Sequence, residues 1–199
     1  MKITVVYDNE TTKSALKPDW GFSCFIENKK NLLFDTGANG DILLSNMKVL
    51  GIKPEDIDIV FLSHNHWDHV DGLNALVSLN TKIKVYHPDF SLKPKEVIEN
   101  ITTTGMLSGI EQSLIINTDK GLVVVTGCSH PGLENILDVA RKFGKIYAVI
   151  GGFHGFDKFD ILKDVELFLP CHCTQHKKEI CRLYPENCSV CGAGKIVEI

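Results

Sequence analysis

The 199-residue sequence has no uninterrupted apolar run long enough to cross a bilayer, so a membrane-spanning helix is not expected. It has no excess of basic residues either. A formal net charge of -4 gives generic nucleic-acid binding no electrostatic support. The opening Met1-Lys2-Ile3-Thr4-Val5-Val6-Tyr7 alternates like a first strand and lacks an apolar signal core with a cleavage site. The expectation is a cytoplasmic protein whose seven cysteines are largely reduced thiols. Internal repeats, low-complexity tracts and charged linkers are also missing, which predicts a single domain over residues 1–199. No Ser–His–Asp arrangement or P-loop competes for the chemistry.

A composition that is 44% hydrophobic and 23% charged fits an ordinary globular protein with one well-filled core. Apolar patterning predicts strands over 3–7, 22–26, 32–34, 57–62, 83–86, 113–116, 122–125, 146–150 and 165–169. A helix is expected over 40–50, with Ile42, Leu43, Met47 and Leu50 on its apolar side and Gly51 as a left-handed cap. Val70, Leu73, Leu76 and Val77 have helical spacing, as do Leu133, Ile136, Leu137 and Ala140, and a short helix is expected near 159–163. The stretch 91–109 gives no clear pattern. Strands in a meander with helices between some of them predict an α/β fold of two packed sheets flanked by helices.

Strand after strand ends in a polar turn. Phe34 leads into Asp35-Thr36-Gly37, Leu62 into Ser63-His64-Asn65-His66, and Val125 into Thr126 and then Gly127-Cys128-Ser129-His130. Ile150 leads into Gly151-Gly152-Phe153-His154 and Leu169 into Pro170-Cys171-His172-Cys173. Loops at strand ends are where a rigid scaffold places reactive groups. Any one of these histidines, alone, would be an ordinary core histidine with one hydrogen bond. With His69, six of the eight histidines fall in this one context, which points to a metal site. In His64-x-His66-x-Asp68-His69, alternation along an extended chain sends positions 64, 66 and 68 to one side. Three imidazoles and a carboxylate suit zinc, and they suit a pair of ions roughly 3.5–4 Å apart activating a shared water. The same donors accept iron, manganese or nickel.

The run Phe61-Leu62-Ser63-His64-Asn65-His66-Trp67-Asp68-His69-Val70-Asp71-Gly72 resembles the signature of the metallo-β-lactamase superfamily, and Asp35-Thr36-Gly37 resembles its early Asp-containing turn. Thr126-Gly127-Cys128-Ser129-His130-Pro131-Gly132, Ile150-Gly151-Gly152-Phe153-His154, Pro170-Cys171-His172-Cys173-Thr174 and Gly192-Ala193-Gly194-Lys195 are similar to a narrower subgroup. That subgroup is described as dihydropteroate-synthase-like or ribofuranosylaminobenzene-phosphate-synthase-like. The resemblance implies an αββα sandwich of two mixed β-sheets flanked by helices, and a dinuclear site whose bound hydroxide attacks a carbonyl or phosphoryl centre. Esters, lactones and phosphodiesters are the implied substrate classes. A fold of this kind does not fix the substrate.

By the same resemblance His64 and His66 match ligands of the first metal, Asp68 and His69 ligands of the second, and His172 the late ligand of the second. Two departures stand out. The stretch Thr104-Gly105-Met106-Leu107-Ser108-Gly109 lacks a histidine usual there, and Cys128 stands where a bridging Asp is often delivered. His130 is then expected to complete the first metal, with a Cys128 thiolate ligand as the alternative. Asp68 is expected to orient the water or accept its proton, and His154 to face a small-molecule substrate with an anionic group, against an alternative structural role. Asp35 is expected to orient the ligand loop. His87 and His176 read as ordinary surface residues. Cys171, Cys173, Cys181, Cys188 and Cys191 read either as free thiols or as a second metal cluster, with Cys188-x-x-Cys191 at ligand spacing. Two other function classes stay open: a di-iron redox enzyme of the same fold and a non-catalytic metal or ligand sensor.

Overall fold

The computed structural model describes residues 1–199. In chain order the elements are β1 (Lys2–Tyr7), β2 (Ser23–Glu27), β3 (Leu32–Phe34), α1 (Gly40–Leu50), β4 (Ile59–Phe61), α2 (Trp67–Val70), α3 (Leu73–Leu79) and β5 (Lys84–Tyr86). They continue with β6 (Lys95–Ile98), β7 (Ile101–Thr103), β8 (Leu114–Thr118), β9 (Gly121–Thr126), α4 (Leu133–Ala140) and β10 (Ile146–Gly152). The last are β11 (Leu167–Cys171), α5 (Lys177–Leu183) and β12 (Ile196–Glu198). Two compact units result, Met1–Pro88 with Cys191–Ile199, and Asp89–Val190. Each holds one six-stranded sheet, in the orders β12-β1-β2-β3-β4-β5 and β11-β10-β9-β8-β7-β6. No helix is long and apolar enough to cross a membrane.

Both sheets are mixed, in the same way. In the first, β12, β1, β2 and β3 pair antiparallel, whereas β3, β4 and β5 run parallel. In the second, β6, β7, β8 and β9 pair antiparallel, whereas β9, β10 and β11 run parallel. Parallel neighbours need a crossover, and α1 and α4 supply two of them. Their consequence matters for the site: the carboxyl ends of successive parallel strands reach the same edge of the sheet, where α/β folds commonly gather ligands.

α1 forms over the expected residues because both ends are satisfied. The Asn39 side chain accepts from the amides of Asp41 and Ile42 at 2.9 and 3.2 Å. At the other end Gly51 has φ 74°, and the amides of Gly51 and Ile52 close on the carbonyls of Lys48 and Met47. Leu43 and Met47 are buried against Val6, Leu33, Val60 and Leu76, each burial contributing on the order of 2 kcal/mol. In the second unit Leu133, Ile136, Leu137 and Ala140 of α4 pack on Leu122, Val124, Ile146 and Val149. The helical spacing around Val70 to Val77 resolves into two short helices, α2 and α3, broken at Gly72. A Cβ on Gly72 would stand 2.1 Å from the Thr36 carbonyl oxygen, so only glycine lets this segment lie on the turn after β3.

Several strand boundaries differ from expectation. β6 and β7 lie in the segment that gave no pattern. β11 runs to Cys171, two residues past the expected end, because parallel pairing with β10 continues through Gly151 beside Pro170 and Gly152 beside Cys171. The expectation of free thiols also needs correction. Cys181 in α5 and Cys188 form a disulfide, their Cα atoms 5.0 Å apart after the Cys188 amide folds back onto the Tyr184 carbonyl at 2.9 Å. Cys188-x-x-Cys191 is therefore not a pair of free ligand thiols.

Candidate metal centre

In the first unit β3 and β4 run side by side with Phe34 opposite Phe61, so the residues that follow them are neighbours. The Asp35 amide donates to the Phe61 carbonyl at 2.9 Å, and the chain turns there with Asp35 at φ 53°. The turn aims a fully buried carboxylate at the next strand exit. Its Oδ1 accepts from the Ser63 amide at 2.7 Å, and Oδ2 accepts the Ser63 hydroxyl and meets His69 Nδ1, each at 2.7 Å. Ser63 Oγ also lies 2.8 Å from His64 Nδ1.

Proton positions follow from this network. A carboxylate only accepts, so His69 Nδ1 carries a proton and, in the neutral ring, Nε2 the lone pair. The single Ser63 hydroxyl proton points at Asp35, so Ser63 Oγ must accept from His64 Nδ1–H, which again leaves the lone pair on Nε2. Both imidazoles thus keep Nδ1–H, and in the neutral form of each ring Nε2 is the donor atom. His64 itself is buried. The rings gather: His64 stands 4.5 Å from His66 and 4.2 Å from His69, and Asp68 Oδ2 lies 3.9 Å from His69 Nε2. Asp35 thus holds the segment that carries Ser63, His64 and His69.

Asp68 has a partner that sequence reasoning missed. The indole N–H of Trp20, a half-exposed residue, donates to its Oδ2 at 2.9 Å. Trp20 rides on a loop that Asn46 of α1 ties down, its amide donating to the carbonyls of Val6 and Lys17 at 3.0 Å and accepting from the Lys17 amide at 2.9 Å. Trp20→Phe keeps the ring and removes the donor. Its expected effect is an about tenfold loss of metal affinity with little loss of stability, read by competition with a chromophoric chelator.

In the second unit the turns after β9, β10 and β11 are stitched together. Ser129 Oγ donates to the Gly152 carbonyl at 2.7 Å, the Phe153 amide to Thr174 Oγ1 at 2.9 Å and the Gln175 amide to the His154 carbonyl at 2.8 Å. Ser129, His154 and His172 all have left-handed backbones, with φ 62°, 42° and 47°. Non-glycine residues take that conformation at a cost and concentrate at functional sites. His130 and His154 meet with ring centroids 5.1 Å apart, and both line a cavity of about 250 Å³ with Leu133, Phe153 and Phe156. His154 is exposed and His172 buried.

Cys173 belongs with this group and not with a cluster in the C-terminal region. Neither Cys173 nor Cys128 is in a disulfide, and Cys173 Sγ lies 3.9 Å from the Cys128 carbonyl. The Cys173 thiol is pulled down to about 6, first by its hydrogen bond with the Cys128 side chain and then, against the opposing effect of burial, by His172 and His154. His87 is exposed, and His176 makes a partly exposed contact of 3.5 Å with Glu179, in keeping with surface roles. The first unit therefore brings together His64, His66, Asp68 and His69. The second brings His130 to His154 and sets His172 beside the Cys128–Cys173 pair.

The family model of the metallo-beta-lactamase superfamily matches residues 21–104. A 7,8-dihydropterin-6-methyl-4-(beta-D-ribofuranosyl)-aminobenzene-5'-phosphate synthase from Methanocaldococcus jannaschii is 30% identical, with 85% of each chain covered. The chain belongs to the metallo-beta-lactamase superfamily. An N-acyl homoserine lactonase from Bacillus cereus is 25% identical over 89% of this chain and 83% of its own. The crystal structure of a metal-dependent hydrolase of the beta-lactamase superfamily superposes with a TM-score of 0.80 at 27% identity, covering 100% of this chain and 99% of that one. Superfamily members are mostly metal-dependent hydrolases that bind divalent metals such as zinc. Each unit carries residues of kinds that can hold a metal ion, His64 and His69 in the first and Cys128, His130 and His172 in the second.

Proposed function

We propose that this superfamily member is a hydrolase using two divalent ions, zinc first among them, on a small-molecule ester, lactone or phosphodiester. The observation that supports the reading is the Asp35–Ser63 network, which engages Nδ1 of His64 and of His69 and leaves Nε2 as the donor atom of each neutral ring. A carboxylate holding the far nitrogen of an imidazole is how proteins orient metal-binding histidines. The donor types fit divalent ions: His64, His66, Asp68 and His69 in the first unit, and His130 and His172 in the second. A Cys128 thiolate remains the alternative donor. Bound ions would supply Lewis acidity, lowering the pKa of a water from about 15.7 toward about 7.

The chain's own residues do the rest. Asp68, steadied by the Trp20 indole, orients the attacking water or accepts its proton. His154, exposed on a left-handed turn beside His130, faces the substrate and hydrogen-bonds its anionic group or donates a proton to the leaving oxygen. The cavity between Phe153, Phe156 and the two imidazoles takes the substrate body. A net charge of -4 gives a polyanionic nucleic acid no long-range attraction.

The test joins elemental analysis of the purified protein to a panel of esters, lactones and phosphodiesters. Zinc in the protein, turnover of one class, loss of turnover with a chelator and its return with added metal are expected. A coloured iron protein that turns over none of the panel would replace this reading with redox chemistry.

A further inference from the structure

Glu111 lies between β7 and β8, in a segment with no ligand motif, and is fully buried. Its carboxylate accepts five hydrogen bonds, every one from the end of β9 and the turn after it. Oε1 accepts from the Thr126 hydroxyl and the amides of Gly127 and Cys128 at 3.0 Å each, and from the Ser129 amide at 3.1 Å. Oε2 accepts from the His130 amide at 2.9 Å. Four consecutive amides converge in this way because Ser129 is left-handed, at φ 62°. Concavities of successive N–H groups are anion sites, often for phosphate, and here the anion is the protein's own carboxylate. A buried carboxylate is tolerated only where such donors replace water.

The four amides belong to the residues that carry Cys128 and His130, so whatever holds the amides sets the directions of both side chains. We infer that Glu111 is the positioning residue of this turn, an internal anion that folds 127–130 into its ligand-presenting shape. Both of its oxygens are engaged with the turn. Its influence on metal and activity rests on the proposed role of His130; its influence on the turn does not.

Glu111→Ala should empty the nest and leave a space that formate can fill. In that variant the amide resonances of Gly127, Cys128, Ser129 and His130 should move or broaden while those of the first sheet stay in place, and zinc affinity should fall about 10–100-fold. Formate should restore both, and chloride at equal ionic strength should restore neither. A general loss of fold would not respond to one small carboxylate. Glu111→Gln fills the space, and with its oxygen in the Oε1 place its NH₂ group faces the His130 amide, so it should disturb the His130 resonance most and ignore formate. Should the alanine variant not fold, the glutamine variant decides, and an unshifted His130 amide in it overturns the inference. So do undisturbed amides in a folded alanine variant, or disturbed ones that formate leaves unchanged. If the unmutated protein binds no zinc, the hydrolase reading fails while the amide measurements still decide the role of Glu111.

Discussion

Alanine at both His64 and His66 is expected to remove bound metal and hydrolytic turnover together. His64 is buried where the chain leaves β4, its ring 4.5 Å from that of His66, and their spacing of two residues sends both side chains to one side of the exit. Deleting both imidazoles takes two of the three donors expected for one ion. A single remaining protein ligand does not hold a catalytic ion against water, and turnover should fall by more than about 10³-fold, roughly 4 kcal/mol of transition-state stabilisation. Folding should survive. Neither residue is part of the apolar cluster of Leu33, Leu43, Met47, Val60 and Leu76, so the expected cost in stability is about 1–2 kcal/mol. Elemental analysis, turnover on the substrate found by the panel and a thermal melt measure the three quantities separately. Turnover unchanged in a metal-free double variant would remove these histidines from the chemistry.

What could be read in advance follows from how local the causes are. α1 was legible end to end because its apolar side and its Gly51 cap are written in adjacent residues. The cluster from His64 to His69 was legible for the same reason: six residues hold both the donors and the turn. β6 and β7 were not, since Lys95 and Glu96 are exposed on an edge strand and only pairings such as Ile101 with Ile116 make the segment extended. Apolar patterning ends the strand at Leu169, before Pro170. Pro170 is tolerated because β11 is the edge strand of its sheet, where a missing N–H can face away from the ladder. Trp20 and Glu111 carry no local sign at all. One reaches Asp68 across 48 positions and the other reaches the 126–130 turn across 15 to 19, and an acidic residue in an irregular segment looks solvated until the fold buries it. Cys173 was grouped by sequence distance with cysteines farther along the chain, whereas the turn after β11 puts it against Cys128.

Asp35→Asn is expected to cost nearly as much metal affinity as loss of His69 itself, although it changes one atom. The left-handed backbone at position 35 suits asparagine as well as aspartate, so the turn should keep its shape. The donors around it would not be kept equally well. Asn Oδ1 can still accept from the Ser63 amide, now 2.7 Å from Asp35 Oδ1. The other position becomes an NH₂ group facing two former donors, the Ser63 hydroxyl and His69 Nδ1–H. The hydroxyl can rotate and accept instead. His69 can meet the amide only by moving its proton from Nδ1 to Nε2, which places a hydrogen on the atom proposed to bind the ion. Ser63, once it accepts from the amide, can turn its proton toward His64 Nδ1 and favour the same wrong tautomer there. Two of the proposed ligands would be misprotonated by one substitution. Metal affinity should fall by at least the 10–100-fold typical of an outer partner, and more if both rings switch. Stability should fall by about 1–3 kcal/mol, the usual cost of a mismatched buried donor. Chelator competition gives the affinity, and ¹⁵N spectra of the imidazole rings in the metal-free protein report each tautomer directly. Rings that keep Nδ1–H in the variant, with metal affinity unchanged, would show that Asp35 does not select the tautomer.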